Sequence, residues 1–285
     1  MRRHAALALL KLPLATRAVV APLRGLPLVL GRLFAQRPLA ATLSAARSAA
    51  RSVARSVALA AVLAGCGAPP AEPSLFPLGK GHVWTYRVTA ELEGEAPASH
   101  ELTLRTLGNE ALPLPGGGNA WRRRSDDGVD YWLRSDSSGI YRVASKNDLM
   151  TEPQADQPVR FVLKAPFEVG TQWQASTTTY LLMRRSDFPR EMRHKHKNVS
   201  MQYRIEAAGI VLDTSAGRFN NCLRVKGDAS VRIYVDPISG WRDLPLTTLE
   251  WYCPGVGLAR LERLEPVGST FLTGGTLTME LASWQ

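Results

Sequence analysis

The sequence carries no enzyme signature. It has no Gly-x-Ser-x-Gly elbow, no His-Glu-x-x-His, and no glycine-rich loop ending in Lys-Ser or Lys-Thr. Serine hydrolysis, zinc proteolysis and nucleotide binding therefore lack their usual chemistry. Long apolar runs are missing from the first fifty residues as well. Lys11, Arg17 and Arg24 interrupt them, and Pro13, Pro22 and Pro27 break helical continuity. None reaches the roughly eighteen apolar residues that a membrane-spanning helix needs. Acidic residues are wholly absent from residues 1–65, which hold ten Lys or Arg. Beyond them, 25 basic residues stand against 25 acidic ones, so the net charge of +10 belongs entirely to that leading stretch. A pI near 9.9 would ordinarily point to nucleic acid. The neutral remainder removes that inference, and no nucleic-acid partner is expected.

What the leading stretch does contain is an apolar run over residues 57–65, preceded by Arg47, Arg51 and Arg55 and ending in Leu63-Ala64-Gly65-Cys66. A short hydrophobic segment with positive flanks and small residues at its end is a secretory signal. With the cysteine it resembles the lipobox of bacterial lipoproteins. That resemblance implies a diacylglycerol on the Cys66 thiol and cleavage just before it. One diacylglycerol and an amide-linked acyl chain would anchor the chain stably to a membrane. Gly67, rather than aspartate, after the cysteine implies the periplasmic face of the outer membrane over the inner one. Residues 66–74 read as a lipidated tether. The leader is long, and a start at Leu43, Val53 or Val57 is expected. Its Arg, Ser and Ala without acid also fit a transit peptide.

The remaining 220 residues hold all seven Trp and all seven Tyr, enough aromatic mass to anchor one folded core. No amphipathic helix of twelve residues appears there. Residues 82–92 place Trp84, Tyr86, Val88 and Ala90 on one parity, as in a half-buried antiparallel strand. Asp126-Asp127-Gly128 and Asp136-Ser137-Ser138-Gly139 separate strands at 121–125, 129–135 and 140–144, because Asp templates a bend and Gly accepts positive φ. Further strands are expected at 100–107, 159–163, 177–183, 199–207, 210–214, 219–226, 230–235, 247–253, 257–264 and 276–281. This pattern predicts an all-β domain over residues 75–285: a large curved antiparallel sheet, open barrel or sandwich.

Three stretches carry a resemblance. They are Phe76-Pro77-Leu78 with Gly81 and Trp84-Thr85-Tyr86, then Thr214-Ser215-Ala216-Gly217-Arg218-Phe219 leading to Cys222-Leu223-Arg224-Val225, and Glu250-Trp251-Tyr252-Cys253-Pro254-Gly255-Val256-Gly257-Leu258. Together they resemble a group of secreted and lipid-anchored bacterial envelope proteins of unassigned activity. That group is similar in shape to periplasmic carriers of the LolA and LolB type, which hold lipid or acyl groups in a concave sheet face. Ser215 and Cys253 depart from the group's usual proline and alanine.

With Cys66 lipidated, Cys222 and Cys253 remain. They form either a disulfide closing a loop of about thirty residues or two buried free thiols. His194 and His196 lie two apart, but Arg190, Arg193, Lys195 and Lys197 surround them and would repel a cation, so no metal or other cofactor is expected. Those four cations are candidates for contact with anionic headgroups. The function expected is non-catalytic binding of a hydrophobic or lipid-like ligand in envelope maintenance, in a groove lined by Trp84, Tyr86, Trp132 and Trp251. A structural or protein-interaction lipoprotein is the alternative, and a cryptic hydrolase or metal-binding protein the third. Cys66→Ser is expected to shift the protein from the membrane to the soluble fraction and to remove the lipid mass from its N-terminus. Retention on membranes after that change would refute anchoring through Cys66.

Overall fold

The computed structural model describes residues 74–185, 198–236 and 238–285. The signal region, Cys66, the tether and the cluster at Arg190, Arg193, Lys195 and Lys197 lie outside them.

The described chain folds into fourteen strands: β1 (Val83–Leu92), β2 (Ala98–Ala111), β3 (Asn119–Ser125), β4 (Val129–Asp136), β5 (Gly139–Asn147), β6 (Gln154–Lys164), β7 (Gln172–Thr177), β8 (Met183–Arg184), β9 (Val199–Thr214), β10 (Gly217–Asp236), β11 (Gly240–Cys253), β12 (Gly257–Glu265), β13 (Leu272–Thr273) and β14 (Gly275–Trp284). Twelve form one antiparallel sheet in the order β6-β5-β4-β3-β2-β1-β14-β12-β11-β10-β9-β7. The sheet curls into a nearly closed barrel, which brings its edge strands β6 and β7 near each other. The small β8–β13 pair stands apart. Two meanders are visible in the order, and the C-terminal β14 joins them by pairing with β1 on one side and β12 on the other.

Sequence alternation decides which side chains fill the barrel. In β1, Trp84, Tyr86, Val88 and Ala90 are buried while Arg87 and Glu91 face out. In β7 and β9, Trp173 and Ala175 meet Met201, Tyr203 and Ile205 on the same inner face, and Trp173 stacks on Tyr203 at 5.5 Å. The hairpin between β3 and β4 turns through Gly128, whose φ of +86° a side chain would strain. Gly227 of β10 has a different role. A Cβ there would lie 2.7 Å from both Met201 Sδ and Thr248 Cγ2, so glycine lets three strands pack closely at that level.

The strand at 177–183 is corrected. The pairing strand is β7, which ends at Thr177, and the chain then leaves the sheet. The amides of Tyr180, Leu181 and Leu182 donate to the Glu265 carboxylate at 2.8–3.0 Å, so they are satisfied without a neighbouring strand. The separate strands expected at 199–207 and 210–214 are one long β9, and those at 219–226 and 230–235 are one long β10. Their shared irregularity sits near Asn221, which takes a φ of +58° that asparagine tolerates.

Cys222 and Cys253 are joined by a disulfide across β10 and β11, with both residues fully buried. The bridge spans 31 positions. Restricting the unfolded chain over a loop of that length contributes about 3–4 kcal/mol. Replacing both cysteines with alanine is expected to lower the unfolding free energy by about that amount, read from urea midpoints. An unchanged midpoint would show that the bridge contributes nothing.

Candidate functional site

The inner face of the barrel encloses a cavity of about 230 Å³. Leu102 and Leu104 from β2, Leu133 from β4, Leu261 from β12, and Leu277 and Met279 from β14 supply an apolar wall. Five tyrosines, three arginines and one glutamate are set into it: Tyr86, Tyr131, Tyr180, Tyr203 and Tyr252, then Arg123, Arg142 and Arg160, then Glu250. The cavity thus presents polar groups within an apolar wall, the mixed lining common to small-molecule sites.

Each cation is held differently. Arg123 is 6% exposed, and its guanidinium lies 4.1 Å from the Trp84 ring centre and 4.5 Å from that of Phe76. Its Nη2 donates to the Pro77 carbonyl at 2.8 Å, and its Nε to Thr106 Oγ1 at 3.4 Å. Burial pulls its pKa down to about 10, partly offset by the phenols of Tyr86 and Tyr252. Arg142 forms a two-bond pair with Asp156 at 2.6 and 2.7 Å, which neutralises it. Arg160 is half-buried. Burial works against its charge, but Tyr203, Tyr180 and Glu250 outweigh that and hold its pKa above the ordinary value. Neither Arg123 nor Arg160 has a carboxylate within 4.0 Å among the described residues.

The phenols complete the lining. Tyr86 donates to the Leu258 carbonyl at 2.8 Å, and Tyr252 donates to Glu250 at 2.6 Å. Burial, reinforced by Glu250, pushes Tyr203 up to about 12. Tyr131 is 8% exposed and lines the cavity, yet its hydroxyl has no hydrogen-bond partner among the described residues.

The cavity reaches the free edge of the sheet. Arg160, Phe161 and Val162 are consecutive in β6, and all three line it. Strand residues alternate faces, and three in a row can contribute here because a register shift at Val162 interrupts the alternation. β6 is an edge strand, and its pairing with β5 shifts register between Ile140↔Leu163 and Tyr141↔Phe161. The cavity wall on this side thus includes the free edge of the sheet.

Of the four aromatics expected to line a groove, Trp84, Tyr86 and Trp251 share one buried cluster, and Tyr86 alone of the four lines the cavity. Trp84 lies beneath Arg123, and its Nε1 donates to the Val256 carbonyl at 2.7 Å. Trp132 alternates with Tyr131 and Leu133 and so faces the other way, packed with Leu112, Ala120 and Val143 under Arg122. Trp251 alternates with Glu250 and Tyr252, clusters with Leu212 and Cys222, and lies 5.7 Å from the Arg260 guanidinium. The tip of the β9–β10 hairpin reaches the outer side of β14 nearby, where Ser215 binds Glu280 and the Ala216 amide binds the Leu281 carbonyl.

Sequence reasoning missed the arginines. A signal existed for Arg123: Arg122-Arg123-Arg124 sits inside a strand, so the middle residue must face opposite to its neighbours. Nothing in the sequence marked Arg160, and Glu250 stood out only as the first residue of a resemblance stretch, because the two belong to distant strands. Among the described residues, no group of three His, Cys, Asp or Glu is placed to hold a metal ion.

Burial raises the Glu250 carboxyl above the usual range, against the pull of the Tyr252 phenol and Arg160. A carboxyl with a raised folded-state pKa binds its proton more tightly in the fold. Stability therefore falls as pH climbs from the unfolded carboxylate value through the raised one. Glu250→Gln keeps an acceptor for Tyr252 and removes the titration. Its Tm is expected to gain on the parent as pH is raised from acid to neutral, and a difference independent of pH would contradict the shift.

No protein-family model matches the chain, and no curated protein does. Two solved structures align with it. One is a candidate lipoprotein from Parabacteroides distasonis, at 14% identity over 75% of this chain and 99% of that one, with a TM-score of 0.32. The other is a candidate exported protein with a YmcC-like fold from Bacteroides fragilis, at 14% identity over the same shares, with a TM-score of 0.33. Both likenesses are too distant to transfer a function.

Proposed function

We propose that this chain is a lipid-anchored envelope protein, tethered through a diacylglyceryl Cys66 to the periplasmic face of the outer membrane, which binds a hydrophobic or lipid-like ligand without catalysis. The observation that carries the binding reading is the cavity of about 230 Å³ inside the barrel. Its size bears on the ligand. A cavity of about 150 Å³ takes one benzene-sized molecule, so this one suits a single chain rather than a two-chain phospholipid.

A second reading has its own support. Ile238 and Trp241 at the β10–β11 turn are 96% and 63% exposed, and Trp241 meets Tyr234 edge-on. An exposed apolar tip of this kind suits docking to an envelope protein.

Native mass spectrometry of the protein extracted gently from envelopes separates the two. The ligand reading expects one acyl-sized mass that is lost on denaturation, and uptake of a hydrophobic dye. Leu104→Trp, which fills the cavity from a half-buried position, is expected to abolish dye uptake while leaving Tm within a few degrees. A clean apo mass with no dye uptake by the parent would overturn the ligand reading and leave the docking one.

A further inference from the structure

The cavity's charge is unbalanced, and this narrows the ligand class. Three guanidinium groups line it against one carboxylate, Glu250. Asp156 neutralises Arg142. Arg123 is fixed by the Trp84 and Phe76 rings and by the Pro77 carbonyl, so its geometry is already committed to the fold. Arg160 differs on both counts. It sits on the edge strand β6, where Tyr203 bonds it and Glu250 attracts it, and it has no carboxylate within 4.0 Å among the described residues. Two unpaired cations facing one carboxylate leave a net positive interior, and burying such charge is costly unless an anion joins it. The Tyr131 hydroxyl, nine-tenths buried and without a partner, is a further polar group aimed into the same space.

We infer that the cavity takes a single-chain anionic amphiphile, with its carboxylate or phosphate headgroup held by Arg160 on the edge strand β6 and its chain lying along Leu104, Leu133, Leu261 and Met279. This deepens the ligand reading above and rests on it. A guanidinium carries five N–H donors, so Arg160 can bond Tyr203 and still meet a carboxylate or phosphate, the anions it binds most strongly. A cation on the edge strand and an apolar wall beside it match the two ends of such a molecule. A neutral chain would fill the wall and leave Arg160 without an anion.

The test compares decanoate, decyl phosphate, decanol and inorganic phosphate as probes. The protein is the full chain carrying Cys66→Ser, so that no anchor of its own competes, and binding is followed by calorimetry. The two anionic amphiphiles are expected to bind about tenfold more tightly than decanol, the gain typical of one charge-assisted contact. Inorganic phosphate alone should bind far more weakly. Arg160→Met should erase the advantage of the anions and leave decanol affinity in place, while Arg160→Lys should recover part of it. The preferred headgroup among the two anions identifies its chemistry. Equal affinity for decanol and decanoate, or an anion preference that survives Arg160→Met, would overturn this inference while the hydrophobic-ligand reading stands. Failure of every chain-bearing probe would overturn the ligand reading itself. Tight binding of inorganic phosphate alone would make the site one for a free anion and also refute the amphiphile.

Discussion

One carboxylate organises the way this barrel is closed. Glu265, 1% exposed, accepts the Tyr180, Leu181 and Leu182 amides and the Arg263 Nε at 2.9 Å. Arg263 is equally buried, and its Nη2 donates to the Thr178 carbonyl at 3.1 Å. The segment that leaves the sheet after β7 thus has its backbone polar groups satisfied by side chains of β12. Leu181 and Leu182 can then enter the two main apolar clusters, and Tyr180 can reach the cavity. Burying an ion pair adds little net stability by itself. Removing one partner strands a charge and several amides, at a cost of about 3–5 kcal/mol. The pair therefore specifies where the chain goes more than how strongly the domain folds.

A second set of contacts joins the two ends of the domain. The Trp84 indole and the Tyr86 phenol donate to the carbonyls of Val256 and Leu258, the Gly255 amide donates to Ser74, and Phe76 packs near Tyr252. Gly257 has a φ of +94°, and a Cβ there would sit 3.4 Å from Pro77 Cδ, so the close approach of the two stretches suits glycine. The opening Phe-Pro-Leu and Trp-x-Tyr residues and the later Pro-Gly-Val-Gly residues are thus one structural unit. They also hold the rings over Arg123, and so the same contacts that shut this part of the barrel allow a cation to be buried at the cavity wall.

The cavity follows from the curl of a single sheet. A barrel made by one antiparallel sheet with an unpaired seam has a continuous inner face and two free edges, here β6 and β7. Apolar side chains fill most of the inside, and the polar residues gather along a belt from Arg123 through Tyr252 and Glu250 to Arg160. The belt gives the interior a polar strip beside its apolar wall.

The sequence by itself determined the strands, their turns and, in β1, the inward face, because alternation and Asp-Gly turns are local properties of a few neighbouring residues. It also carried the resemblance motifs, although not the reason for them, which is that residues about 170 positions apart hydrogen-bond to each other. Only the tertiary structure decided that Thr177 ends a strand, since the competing acceptor is Glu265, a residue from another part of the chain. Only it decided which aromatics face the cavity. Trp132 and Trp251 read as equals of Tyr86 until register assigned them to the outer face, where further chain covers them. The cavity's arginines come from β3, β5 and β6, and their imbalance against Glu250 of β11 is a property of the closed sheet. Charge of this kind is a sum over residues that meet only on folding, so no single stretch of sequence contains it.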